Sequence, residues 1–209
     1  MANNELSGPV VQTALARWLE SLDRRHTYRI VFVPETIGSI VYLSRNLHRM
    51  RERTVAGFVL TCCGDRRTWS LLGSRARNTL ADRLARHILD HAVGQYDEYT
   101  FLADRGSDER QYCSPGVDLP VVSIMRSKYG EYPEYHTSLD DLDFISPAGL
   151  GETFEVFQQC VEALERNRTW VIARPCEPQL GRRGLYPNVS RKGSADQVRV
   201  MMNLLACCD

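Results

Sequence analysis

The sequence predicts an α/β protein whose mostly parallel sheet is covered by helices on both faces. Three observations carry that expectation. Short runs of branched and aromatic residues alternate along the chain with longer stretches whose apolar residues recur at helical spacing. The run Leu119 to Met125 is almost wholly apolar, the pattern of a strand buried on both faces. The 209 residues, 43% hydrophobic and 25% charged, suffice for one sizeable core.

Asn3 to Pro9 is polar and turn-rich, and Pro9 suits the first turn of a helix striped by Val10, Val11, Ala14, Leu15, Trp18, Leu19 and Leu22. Tyr28 to Val33 reads as a strand ended by Pro34. Ile37 to Met50 reads as a helix entered through Gly38-Ser39, which leaves Glu35 on a strand-to-helix loop. Val55 to Cys63 is a second buried strand closed by Gly64-Asp65, and Trp69 to Leu72 a short third. Leu80 to Val93 is amphipathic, with Leu80, Leu84, Ile88 and Ala92 on one stripe, and Tyr96 to Leu102 is a short strand.

Beyond the central run, Pro147 to Glu165 reads as a helix with Phe154, Phe157, Val161 and Leu164 inward, and Trp170 to Ile172 as a strand. Arg174 to Gly193 carries Pro175, Pro178, Gly181, Gly184, Pro187 and Gly193, the composition of an irregular connection, before Ser194 to Cys208 turns helical. The expected division is a domain over residues 1–173 and a connector with a helix over 174–209. An Asn-Asn-Glu cluster leading straight into a buried helix suggests a loop whose preceding strand lies outside the chain, so a truncated chain is expected.

Acidic and basic residues balance at 26 each, which argues against nucleic acid or an anionic membrane as partner. No apolar run approaches a membrane span and the first residues lack a signal-peptide pattern, so the expected location is the cytoplasm. The seven cysteines are an odd number without zinc-finger spacing, consistent with a reducing compartment.

Candidate chemistry gathers on the loops around Leu119–Met125. Asp108 and Glu109 precede it; His136, Asp140 and Asp141 follow it, and the two loops can converge at one edge of a sheet. In Tyr-Pro-Glu-Tyr-His-Thr-Ser-Leu-Asp-Asp, His136 reads either as a zinc ligand oriented by a nearby Asp or as a surface loop histidine. Glu35 reads as a functional carboxylate or as a neighbour of a helix N-cap, and Asn4 and Glu5 as a helix cap. His26, His48, His87 and His91 read as solvated, and Cys62 and Cys63 as small hydrophobes. No Gly-x-Ser-x-Gly nucleophile elbow occurs.

The stretches Gly-Ser-Asp-Glu-Arg-Gln-Tyr, Gly-Val-Asp-Leu-Pro-Val-Val and Tyr-His-Thr-Ser-Leu-Asp resemble the closing motifs of the di-zinc exopeptidases, bacterial aminopeptidases related to glutaminyl cyclases. Asn-Asn-Glu-Leu-Ser-Gly-Pro, Val-Pro-Glu-Thr-Ile-Gly-Ser and Gly-Leu-Tyr-Pro-Asn resemble a bacterial branch with an inserted small domain and a C-terminal winged helix. The resemblance implies a three-layer α/β/α sandwich around a mixed, mostly parallel sheet. It also implies one or two Zn2+ ions, a water activated by a Glu, and a small peptide or amide substrate. It assigns His136, Glu35 and Asn4 to metal positions and Glu35 and Asp108 to catalytic ones, with Asp108 either facing substrate or supporting the metal site.

The departures shape the functional expectation. Asn4 stands where the family has a metal-bridging Asp, and Thr61 where an Asp ends the next strand, leaving Asp65 as a displaced substitute. The histidine of a His-Pro-Ser preceding Met1 in that branch is not among these residues, and a winged helix is expected after Asp209. The expected function is thus a zinc-dependent aminopeptidase-like hydrolase carrying an incomplete metal site, with weak or no activity in this chain. The alternatives are a non-catalytic exopeptidase fold that binds a ligand or partner, and an amide-forming or deacylating enzyme of cell-surface glycan or natural-product assembly.

Overall fold

The computed structural model describes residues 1–173, 176, 178–186 and 194–208. Two units are present, Met1–Glu165 and Arg166–Asp209. In the first, strands β1 (Gly57–Val59), β2 (Ser70–Leu72), β3 (Asp97–Tyr99) and β4 (Val121–Met125) form one sheet in the order β1-β4-β2-β3. The β1–β4 and β2–β3 pairs are parallel and β2–β4 is antiparallel, so the sheet is mixed and mostly parallel as expected. Helices α1 (Ser7–Glu20), α2 (Ile37–Arg53), α3 (Leu80–Ile88), α4 (Phe101–Asp104), α5 (Glu109–Tyr112) and α6 (Pro147–Arg166) surround it.

Strand periodicity sorts the layers. Leu71 pairs with Ile124, and both face the side where Val11 and Leu15 of α1, Ala81 to Ile88 of α3 and Val156 to Leu164 of α6 pack with them. On the other side, Val121 meets Leu43 of α2, Phe101 of α4 and Cys113, while Leu72 and Met125 meet Cys62, Tyr129 and Tyr132. Helices and loops therefore cover both faces, giving the three layers. Every residue of β4 is buried, and burying each of its large aliphatic side chains contributes roughly 1.5–3 kcal/mol. Two glycines set the closest approaches: a Cβ on Gly8 would collide with the Leu60 carbonyl, and one on Gly149 with the Gly64 carbonyl.

The structure corrects several boundaries. Ala2–Leu6 is a π-helical turn rather than a polar loop, and it runs directly into α1 at Ser7. Within Val55–Cys63 only Gly57–Val59 pairs as strand. The Tyr96–Leu102 stretch is strand over Asp97–Tyr99, then turns into α4, because the Asp104 carboxylate accepts the Thr100 N–H at 2.8 Å and starts a helix there. Trp170–Ile172 is not a strand, and its three residues are exposed.

The largest correction is Tyr28–Val33, which forms no strand. Among the described residues its backbone makes one hydrogen bond, from Gln12 Nε2 to the Val31 carbonyl at 3.3 Å. β-Propensity reflects fit to a neighbouring strand, and among the described residues none pairs with this stretch.

The second unit contains a 3-10 turn, Gly181–Arg183, closed by Gly184 at φ 66, and helix α7, Ser194–Ala206. The expectations on Arg174, Pro175, Pro187 and Gly193, and the Pro187-Asn188 end of the Gly-Leu-Tyr-Pro-Asn motif, lie outside the described residues. No helix among the described residues is long and apolar enough to cross a membrane. The seven cysteines are all free thiols.

Candidate active site

Three loops meet at the end of α1. The first is the π turn, whose leading amides are held by the buried Asp140. Its carboxylate accepts the Asn3 N–H at 2.6 Å and the Asn4 N–H at 3.1 Å, and its carbonyl accepts the Ala2 N–H at 2.8 Å. A distant Asp thus caps this helical start and complements its dipole. Asn3 is locked in turn: its Oδ1 accepts the Gly64 N–H at 2.7 Å and its Nδ2 donates to Asp65 Oδ2 at 3.0 Å. Asp65 also accepts the Ser127 N–H and hydroxyl and the Arg67 N–H. With both oxygens engaged and 1% exposure, Asp65 is a structural knot and not a substitute for the Asp missing at Thr61.

The second loop carries Glu35. Its successor Thr36 has φ 61 and ψ −69, a strained conformation for a β-branched residue. Asp108 Oδ1 accepts the Thr36 N–H at 2.8 Å, and Arg110 Nη2 donates to Thr36 Oγ1 at 2.5 Å. These two contacts pin the backbone next to Glu35 from the third loop, residues 106–110.

On that third loop the neighbouring carboxylates divide their duties. Glu109 is fully buried and accepts the Gly106 and Ser107 N–H groups at 2.8 and 3.0 Å, the Tyr129 hydroxyl at 2.8 Å and the Ser123 hydroxyl at 3.2 Å. It shapes the loop, and its lone pairs are committed. Burial and the adjacent Glu109 push the Tyr129 phenol well above its ordinary value.

Asn4, Glu5, Glu35, Thr61, Asp108 and Tyr135 line a cleft of about 120 Å³. Burial first, then the negative charges of Asp108 and Glu5, raise the Glu35 pKa, partly countered by Arg110. The Asn4 Nδ2 donates to Glu5 Oε1 at 2.8 Å, and the Thr61 hydroxyl donates to the Asn4 carbonyl at 2.9 Å. A Glu poised above its usual range in a small polar cleft can take a proton from water or a substrate, and the surrounding carboxylates favour a positively charged ligand. Cys62 borders Asn4, but burial pushes its thiol up to about 12, so it is no nucleophile at neutral pH.

Of the candidates, Asn4, Glu35 and Asp108 come together in this cleft. His136 does not line it. Its ring is exposed and stacks on Tyr135, centroids 4.0 Å apart, with its backbone at φ 58. Glu5, expected as a cap residue, lines the cleft instead, and nothing in the local sequence marks Arg110. The readable signal for Glu5 is its place beside Asn4 in the motif; Arg110 depends on the fold of its loop.

The zinc expectation can be tested on the donors themselves. Among the described residues no three His, Cys, Asp or Glu side chains are grouped so as to hold a metal ion. One oxygen of Asp108 is spent on Thr36, Asn4 offers a neutral amide, and His136 stands aside on Tyr135. This set does not fit a zinc ion, which needs three or four ligands.

Comparison with known proteins agrees with the fold. Residues 1–167 match the model of a domain of unknown function, DUF4910, and residues 168–209 match a winged helix-turn-helix model. Winged-helix sequence therefore begins before Asp209, not after it. A Clostridium acetobutylicum protein described as a polysaccharide biosynthesis protein with an aminopeptidase-like domain is 40% identical over 190 residues, 89% of this chain and 42% of that protein. A crystal structure described as a peptidase from Clostridium acetobutylicum superposes with a TM-score of 0.79 at 38% identity, covering 88% of this chain and 43% of that one. The aminopeptidase from Aneurinibacillus sp. strain AM-1 and the zinc aminopeptidase of Bacillus subtilis each superpose with a TM-score of 0.67, at 21% and 19% identity. They cover 78% and 80% of this chain and 39% and 43% of theirs, a likeness of fold. The chain spans about two-fifths of the length of the curated relative it matches. With the family model spanning residues 1–167, the chain belongs to the DUF4910 family, built on the α/β fold of the aminopeptidases.

Proposed function

We propose that this chain carries the acid–base part of an aminopeptidase-like site that hydrolyses a peptide or amide bond. The observation that supports it is Glu35, raised in pKa at the mouth of a carboxylate-lined cleft and held there through Thr36 by Asp108 and Arg110. In this reading Glu35 takes the proton of the attacking water and returns it to the leaving amine. Glu5 and Asp108 attract the free amine of the substrate, and Asn4 and Tyr135 border it.

Zinc belongs to the reading through the relatives, one of which is named a zinc aminopeptidase. The donors in this chain do not fit it, so no step is assigned to a metal. The expected outcome is that the 209-residue chain takes up no stoichiometric zinc by equilibrium dialysis, and that its turnover is slow. A Clostridium acetobutylicum relative is described as a polysaccharide biosynthesis protein with an aminopeptidase-like domain, so N-acylated amino sugars belong beside peptides among the substrates to try.

Leucine amide titrated into the chain, followed by carboxyl 13C shifts, tests the site without requiring turnover. Glu5, Glu35 and Asp108 are expected to move together, and Glu5→Gln to weaken binding. Any leucine p-nitroanilide turnover is expected to fall about 10²- to 10⁴-fold in Glu35→Gln. No shift at these carboxyls, or turnover that survives Glu35→Gln, would sink the reading.

A further inference from the structure

A second cavity lies apart from the carboxylate cleft and shares no lining residue with it. Its volume is about 410 Å³, against about 120 Å³ for the cleft, and falls in the range of small-molecule sites. Its walls are the approach to β2 with Trp69, the turn before β3 with Val93, and one face of α6 with Glu155 and Val156. Arg126, the residue after β4, completes them.

The charges along this cavity do not cancel. Arg67 is matched by Glu134, which accepts from its guanidinium at 2.8 and 2.7 Å. Glu152 is shared, with one oxygen on Arg66 at 2.6 Å and the other on Arg126 at 3.0 Å. Two guanidinium groups thus rest on one carboxylate. Arg126 is 4% exposed, and among the described residues its guanidinium makes only that one hydrogen bond. Its Nε is buried without a partner, and its guanidinium carbon lies 4.1 Å from the centre of the Trp69 ring. Burial pulls its pKa below the ordinary arginine value, as expected of a charge short of compensation. Glu155 is the opposite case. It is exposed at the rim, and among the described residues its carboxylate has neither a hydrogen bond nor an ion pair. Glu152, which Arg126 contacts, precedes Glu155 by three residues, so the two unmet charges stand about one helical turn apart.

We propose that this cavity binds a free α-amino acid with an apolar side chain, its carboxylate on Arg126, its ammonium on Glu155 and its side chain against Val93 and Val156. An amino acid carries both charges on one carbon, which lets it bridge groups one turn apart. A simple anion leaves Glu155 unmet, and a simple amine leaves Arg126 unmet. Pairing of a carboxylate with a guanidinium is among the stronger polar contacts. Val156 is buried and Val93 partly so, which supplies the apolar wall. The site is independent of the chemistry assigned to Glu35, although a free amino acid is also what hydrolysis there would release.

The probe is leucine, titrated into the full 209-residue chain and followed at the Trp69 indole N–H and the Gln95 and Gln159 side-chain amides, all of which line the cavity. Saturable shifts are expected at these groups. N-acetylleucine lacks the ammonium and leucine amide lacks the carboxylate, and each is expected to bind there at least about 10-fold more weakly. Glu155→Gln is an exposed change, expected to weaken leucine by about 10-fold while leaving Tm unchanged. No saturable shift at Trp69 and the two glutamines, or leucine binding that survives Glu155→Gln, overturns the proposal. N-acetylleucine or leucine amide binding there as tightly as leucine overturns the amino acid in favour of a simple anion or a simple amine. The carboxyls of Glu5, Glu35 and Asp108 are separate resonances, so failure at the cleft and failure at this cavity are told apart.

Discussion

The paired strands β4 and β1, one central in the sheet and one at its edge, meet very different surroundings. β4 lies between two neighbours, with helices or loops over both faces, and all five of its residues are buried. Among the described residues β1 pairs with β4 alone and is only half-buried, while the unpaired residues 28–33, in which Phe32 is 55% exposed, lead into the loop that carries Glu35. Stability is therefore concentrated in β4 and its helices, while the candidate chemistry sits on the loosely supported side. Active-site segments are commonly drawn from the less stable part of a fold, since they must admit ligands.

That contrast is broken most severely by cutting into the supported side. Ile124→Ala removes a fully buried side chain from the cluster shared by α1, α3 and α6 and is expected to cost about 2–5 kcal/mol in urea unfolding. A loss under 1 kcal/mol would mean that this cluster is not the stabilising core. Next comes the clamp that joins the two sides. Asp140→Ala frees the Asn3 and Asn4 amides, with an expected loss of about 2 kcal/mol and a shift of the Asn4 resonances. Unchanged Asn4 shifts would show that the π turn holds without this cap.

The carboxylate cluster gives a smaller effect with a defined sign. Glu35 is raised above its unfolded value, so the folded chain binds its proton more tightly than the unfolded chain does. Its contribution is favourable below the ordinary carboxylate range and is lost as pH rises through the folded value. Glu35→Gln should therefore raise Tm at pH 7 relative to the parent, and the two curves should converge as pH falls below the ordinary Glu range. A Tm advantage that grows toward acid pH would contradict the raised pKa. The smallest change is expected at the open edge, where Phe32→Ser should stay within about 0.5 kcal/mol of the parent, because that ring is mostly in water already.

Residues 28–33 and Glu109 show where sequence reading stops. The Tyr-Arg-Ile-Val-Phe-Val pattern carries every local sign of a strand, but pairing depends on a partner the pattern does not name. Asp108 and Glu109 are adjacent and chemically alike. One faces the cleft and the other is buried on Tyr129, Ser123 and two amides, a division made by how the 106–110 turn lies over β4. Asp65 looked like a spare metal ligand because its place in the sequence is near Thr61, but its oxygens are committed to Asn3, Ser127 and Arg67.

By itself, the sequence determined the fold class, the buried central strand, the helices α1, α2, α3 and α6, and the loops that bear Asn4, Glu35 and Asp108. Those features follow from periodicity and from motifs only a few residues long. The tertiary structure alone decided that Asn4, Glu35 and Asp108 share one cleft with Glu5 while His136 lies against Tyr135. It also decided that Asp108 acts on Thr36 and that Glu109 and Asp65 are structural. The contacts of Asp140 with Asn3, Asn3 with Asp65 and Thr36 with Asp108 join residues 137, 62 and 72 positions apart, and hydrogen-bond partnership at such separations is set by chain packing rather than by local preference.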